Sequence, residues 1–243
     1  MKPFLLLASR AEDAAAEDEY AAYLRYGGLA PEQLRRVRLE AAPLPQLDLA
    51  EYSGVIVGGS PFTSSDPADH KSETQHRVER ELAGLLDRIV AEDFPFLGAC
   101  YGVWTLGTHQ GAVVDRTFGE QLGGVEIELT QAGLADPLLR GMPRRFTAFT
   151  GHKEACTKLP SHAVLLASSR ACPVHMFRIK QNLYATQFHP ELDAEGLATR
   201  IDIYRHAGYF PPESAEELMA DARRYTATEP MKILTNFVER YAG

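Results

Sequence analysis

Apolar residues fill positions 4–8 without a break, Phe4-Leu5-Leu6-Leu7-Ala8, with Lys2 ahead and Arg10 behind. So short an unbroken run suits a strand covered on both faces. Residues 14–24 read as a helix that Gly27-Gly28 stops. A short second strand is expected at 36–39 and a clearer one at 52–57, running into Gly58-Gly59-Ser60-Pro61. The polar stretch through Ser64, Asp66 and His70 reads as a surface loop. Within 74–91, Val78, Leu82, Leu85, Leu86 and Ile89 recur at helical spacing and predict a long helix. Phe94-Pro95-Phe96-Leu97-Gly98-Ala99 predicts another buried strand, ending at Cys100. A further helix is expected over 103–113 in spite of Gly107 and Gly111.

The second half changes character. Strands are expected at 125–130, 146–150, 163–167, 174–178 and 183–188, punctuated by Gly, Pro and Ser. Helices return at 195–207, 214–224 and 231–241, with Pro211-Pro212 separating the first two. Strands alternating with helices early and clustering late predict an open α/β layer with a strand-rich extension. No repeat, low-complexity tract or linker marks a boundary. Residues 1–243 therefore read as a single domain with a helical C-terminal tail.

Composition narrows the chemistry. A chain of 243 residues can bury roughly 70% of its unfolded surface, so its core needs no staple. A net charge of -8 argues against a broad nucleic-acid footprint, and Arg35-Arg36-Val37-Arg38 is too short to supply one. The cysteines are Cys100, Cys156 and Cys172, an odd number without a C-x-x-C pair. That argues against a disulfide scaffold or a zinc knuckle. The first apolar run is too short to span a membrane and lacks a convincing signal-peptide cleavage region, so a cytoplasmic protein without a membrane partner is expected.

The most informative segment is Gly98-Ala99-Cys100-Tyr101-Gly102. It joins a predicted strand to a predicted helix, and glycines at both ends permit a sharp elbow with the central side chain thrust outward. Unsatisfied N–H groups at the helix start would favour a thiolate at Cys100 and place the Tyr101 N–H to stabilise an oxyanion. The competing reading is a buried structural cysteine, which suits Cys156 and Cys172 better. Gln187-Phe188-His189-Pro190-Glu191 lies at the end of another predicted strand. In extended geometry His189 and Glu191 point the same way, so the carboxylate could orient one imidazole nitrogen while the other takes the thiol proton. Val57-Gly58-Gly59-Ser60-Pro61 offers further backbone N–H groups, and it lacks the pattern of a phosphate loop.

These three blocks, in this order, resemble the class I glutamine amidotransferases, most nearly the glutaminase part of GMP synthase and its stand-alone relatives. The resemblance implies a three-layer, Rossmann-like α/β fold around a mixed central sheet. It also implies hydrolysis of L-glutamine to glutamate and ammonia through a γ-glutamyl thioester. Cys100 falls on the family's nucleophile, His189 on its base and Glu191 on its orienting acid. Gly59 and Tyr101 fall on its oxyanion donors, with Gly58 beside them as a substrate-binding residue. No metal or organic cofactor is expected for that step.

Two departures bear on the substrate. Trp104 stands where the family often carries a glutamine that receives the substrate's amino-acid end, and residues 62–93 form a longer connection than usual, read as a lid or partner surface. Gly151-His152-Lys153-Glu154 is similar to an H-x-D block of the family and assigns His152 and Glu154 to the site rim or to coupling with a synthetase. The tail after Glu191 reads as too short for a synthetase domain, so a separate synthetase subunit or partner is the expectation for the ammonia acceptor. Hydrolysis of a γ-glutamyl peptide or amide is the alternative enzymatic reading. A non-catalytic binding or regulatory protein is the other.

Overall fold

The computed structural model describes all 243 residues. Nine strands form one sheet in the order β2-β1-β3-β4-β11-β10-β9-β6-β7. Strands β1 (Phe4–Ala8), β2 (Leu34–Arg38), β3 (Gly54–Val57), β4 (Phe96–Ala99) and β11 (Leu183–Thr186) are mutually parallel. The rest of the sheet, β10 (Met176–Ile179), β9 (Ala163–Ser168), β6 (Glu120–Leu129) and β7 (Arg145–His152), continues antiparallel from β11. The sheet is therefore mixed, as expected.

Two apolar cores explain the unbroken run in β1. Leu5 and Leu7 pack on one side with Val55, Val57 and the buried face of α2 (Glu73–Glu92), beside α3 (Tyr101–His109). Phe4 and Leu6 pack on the other side with Ile56, Leu97 and Tyr23 of α1 (Asp13–Gly27), and with Ile233, Leu234 and Phe237 of the last helix. A strand covered on both faces has no solvent side and so needs no alternation. α2 starts where Ser72 Oγ accepts from Gln75 N at 3.1 Å, and α1 ends at Gly28, whose φ of 63° suits glycine.

Several expectations shift. The helix predicted over 103–113 starts at Tyr101 and stops at His109, and Gly111, with φ 87°, turns the chain into a short strand β5 (Val113–Asp115). That strand pairs with β8 (Ala155–Lys158) in a two-stranded sheet that the pattern did not show. The segment 62–93 is mostly α2, whose apolar face lies in the core, so only its first residues reach the cavity described below. After β11, α5 (Ala194–Ile203) and α6 (Ala215–Ala222) close a small third cluster around Phe149 and Leu192. The remaining helices are the short α4 (Gln131–Ala135) and α7 (Met231–Tyr241). No helix is long and apolar enough to cross a membrane.

Candidate active site

Parallel strands end on a common edge, where α/β folds place their sites. Arg10 follows β1, Gly59 follows β3, Cys100 follows β4 and His189 follows β11. Cys100 has φ 53° and ψ −83°, a strained conformation for a residue with a Cβ. The strain is held by close packing. A Cβ on Gly98 would lie 2.5 Å from the Cα of Gly102, so glycine lets the helix start press against its own strand. The Cys100 N–H donates to Thr186 O at 2.7 Å, tying the elbow to β11. The only side-chain hydrogen bond to its sulfur comes from Gln187 Nε2, at 3.9 Å.

His189 Nδ1 lies 2.8 Å from Glu191 Oε1. The contact was expected from an extended chain, but β11 stops at Thr186 and residues 190–191 form a turn, with the Leu192 N–H donating to His189 O at 3.3 Å. A turn, rather than strand alternation, brings the carboxylate back to the ring. With its Nδ1 proton directed at Glu191, the imidazole keeps Nε2 free to accept another.

A third group, unseen in the sequence, completes this pair. Arg200 of α5 donates from Nη2 to Glu191 Oε1 at 2.9 Å, and its Nη1 stands 3.1 Å from His189 Nδ1. The single Nδ1 proton serves Glu191, so the second contact is not a hydrogen bond, and the Arg200 charge beside the ring disfavours the imidazolium. Burial pushes the His189 pKa below its ordinary value; Glu191 partly offsets this, and Arg200 and Arg10 add to it. Glu191 is held well below the usual carboxylate range: burial opposes its charge, but His189 and Arg200 outweigh that. Cys100 departs from expectation. Burial pushes its thiol up to about 12, with Arg10 and Arg200 opposing and Glu154 and Glu191 adding. Desolvation outweighs the two arginines that favour the thiolate.

Cys100, Tyr101, Trp104, His152, Glu154 and His189 all line one open-mouthed cavity. Gly59 stands at its edge, since a Cβ there would lie 2.6 Å from His189 Cε1. The Gly59 N–H makes no hydrogen bond within the protein, and Tyr101 is the first residue of α3, where N–H groups lack a helical acceptor. Gly58 lies behind this wall: its N–H donates to Leu7 O at 3.0 Å, and a Cβ there would meet Glu19 Oε2 at 2.8 Å. Glu191 is fully buried behind His189.

A family model for glutamine amidotransferase class-I matches residues 24–201. The chain belongs to this family. It is 28% identical over 169 residues to GMP synthase [glutamine-hydrolyzing] of Lactobacillus delbrueckii subsp. bulgaricus, covering 69% of this chain and 31% of that protein. It is 29% identical over 140 residues to a protein of Methanoculleus marisnigri named as one subunit of a GMP synthase [glutamine-hydrolyzing], covering 57% and 65%. The chain thus spans less than a third of the Lactobacillus relative and just under two thirds of the Methanoculleus one. A solved glutamine amidotransferase from Thermotoga maritima shares the fold over 99% of this chain and 98% of its own, with a TM-score of 0.76 at 22% identity.

Within this amidotransferase the cavity wall explains two sequence departures. Trp104 stacks on Tyr101, with ring centroids 5.4 Å apart, and lies under the Lys71 ammonium at 5.7 Å. It packs against the core and faces the cavity at once. The Glu154 carboxylate accepts from the Ser64 and Ser65 N–H groups at 2.9 and 2.7 Å, so it fastens the loop that carries Phe62. His152 is held on both nitrogens, Nδ1 by Glu154 O and Nε2 by Glu120 Oε2, each at 2.9 Å. Burial favours a neutral Glu120, yet hydrogen bonds from His152 and His175 hold its pKa down at about 2.

The residues that sequence reasoning missed are Arg10, Glu19, Arg200, Tyr204 and Tyr209. Arg10 had a signal, since it lies just past the end of a parallel strand. Arg200 had none: it is one polar residue within a helix, eleven positions after His189.

Proposed function

We propose that this chain hydrolyses the γ-amide of L-glutamine or of a larger γ-glutamyl compound through Cys100. The observation that carries the reading is the meeting, on one cavity, of a strained cysteine elbow with a buried His189–Glu191 pair 2.8 Å apart. His189 Nε2 takes the thiol proton as Sγ attacks the γ-carbonyl carbon. The Gly59 and Tyr101 N–H groups stabilise the tetrahedral oxyanion. Collapse expels the amine, protonated by His189, and leaves a γ-glutamyl thioester. Water deprotonated by His189 then releases glutamate. Glu191 holds the tautomer and favours the imidazolium without accepting its proton. The relatives are named as glutamine-hydrolysing GMP synthases or as a single subunit of one, which supports a separate synthetase as the ammonia acceptor.

A second reading concerns the leaving group. Phe62, Tyr101, Trp104 and Tyr209 give the cavity an aromatic wall, a lining that suits a leaving group larger than ammonia. That favours a γ-glutamyl peptide or amide over free glutamine. The test is a release assay across L-glutamine, γ-glutamyl peptides and other γ-glutamyl amides, measuring glutamate and leaving group together. Absence of glutamate from every member would end the hydrolase reading. Trp104→Gln should raise kcat/KM for glutamine relative to the larger substrates by on the order of 10-fold. An unchanged ratio removes Trp104 as a selector.

The base must be neutral to act. Because the folded His189 pKa lies below 6.5, the base form is present throughout neutral pH and is lost as pH falls through that lowered value. The acid limb of kcat/KM is therefore expected below pH 6.5. Glu191→Gln removes a charge that raises the His189 pKa, so it should move the limb to still lower pH while depressing the plateau. A limb shifted upward would contradict the assignment.

A further inference from the structure

Arg10 is 5% exposed, a cation buried at the cavity wall. Two of its three nitrogens are engaged: Nε donates to Glu19 Oε1 at 3.0 Å and Nη1 to the Tyr204 hydroxyl at 3.3 Å. Nη2 donates to no group of the protein. Its position is fixed by Gly59, on which a Cβ would lie 2.7 Å from Arg10 Nη2 and 2.6 Å from His189 Cε1. The free donor therefore stands beside the residue whose N–H is assigned to the oxyanion. The other cavity cations are placed differently. Arg200 is committed to Glu191, and Lys153 is exposed over the Tyr209 ring at 4.4 Å.

Arg10 Nη2 is not enclosed like the other buried polar atoms that lack a partner, and Arg10 lines the cavity, so this donor is open to an acceptor on a bound reactant. Building on the reading of Cys100 as nucleophile, we propose that Arg10 is a third, side-chain donor of the oxyanion hole. As the Sγ–C bond forms, the carbonyl π pair moves onto oxygen, and Arg10 Nη2 donates to that oxyanion. Arg10 neither gains nor loses a proton, and the pair returns to the carbonyl when the C–N bond breaks. Glu19 and Tyr204 aim the guanidinium and so act as positioning residues. The charged or titratable groups facing Cys100 are Arg10 after β1, Glu154 after β7, His189 and Glu191 after β11, Arg200 on α5 and Tyr209 after it. Arg10 is the foremost of those that oppose the burial of a thiolate.

The test uses Arg10→Lys, which keeps the charge, and the double variant Arg10→Gln with Glu19→Gln, which leaves no buried carboxylate unpaired. Because the contact exists only in the transition state, kcat should fall about 10²–10³-fold in the double variant, with less loss in Arg10→Lys and KM little changed. Alkylation of Cys100 by iodoacetamide, followed against pH, should move to higher pH in the double variant and stay nearer the wild type in Arg10→Lys. Thermal melts identify a variant that has not folded, in which case Arg10→Lys alone decides through its kcat and KM. An unchanged kcat, or a raised KM at constant kcat, overturns the proposal; the latter would mean that Arg10 holds a substrate carboxylate. Failure of the underlying reading looks different, since Cys100→Ala would then retain turnover.

Discussion

Cys100→Ala is expected to bring amide hydrolysis to assay background, a loss on the order of 10⁵-fold or more, because no other group at the elbow can form the thioester. Cys156 and Cys172 cannot substitute. Both are fully buried, and neither lines the cavity that Cys100 faces. The substitution should leave stability nearly intact, since Cys100 keeps some solvent contact and its backbone bond to Thr186 remains. Mass spectrometry of protein trapped with a γ-glutamyl electrophile checks the assignment. Label on Cys156 or Cys172, with Cys100 bare and Cys100→Ala fully active, would defeat it.

His189→Ala should cost about 10⁴-fold in kcat, the scale seen when the proton carrier of a nucleophile–base unit is removed. Glu191→Ala should leave more activity, since it removes orientation and not the proton carrier. It also leaves Arg200 with only the longer contact to Glu19 at 3.7 Å, so part of its loss should appear as a lower melting temperature. Steady-state kinetics and melts on the two variants separate these effects. Equal kcat losses at equal stability would contradict the division of roles.

The parts of the site that could be read in advance are local ones. Gly98 and Gly102 bracket Cys100 within five residues, and the 2.5 Å approach that a Cβ on Gly98 would make to Gly102 shows why the bracketing matters. His189 and Glu191 are two residues apart, so their pairing was legible, although the turn that makes it was mistaken for extended chain. The helix boundary at His109 was misplaced for a related reason. Apolar Val113 and Val114 continue the helical pattern, while the positive φ of Gly111 and pairing with β8 redirect them.

Sequence by itself determined the main strands and helices, though not the β5–β8 pair, because covered strands and amphipathic helices write their burial into neighbouring residues. It also determined the elbow, because small residues within a few positions decide whether strand and helix can touch. The tertiary structure alone decided the electrostatics. Arg10, Glu19 and Arg200 come from β1's end, α1 and α5, and no local pattern joins them. It also set the upward direction of the Cys100 shift, since that depends on how much protein encloses the sulfur against how much charge faces it. Desolvation and charge–charge interactions sum over everything nearby in space, and that neighbourhood exists only once the parallel strands bring their ends to one edge.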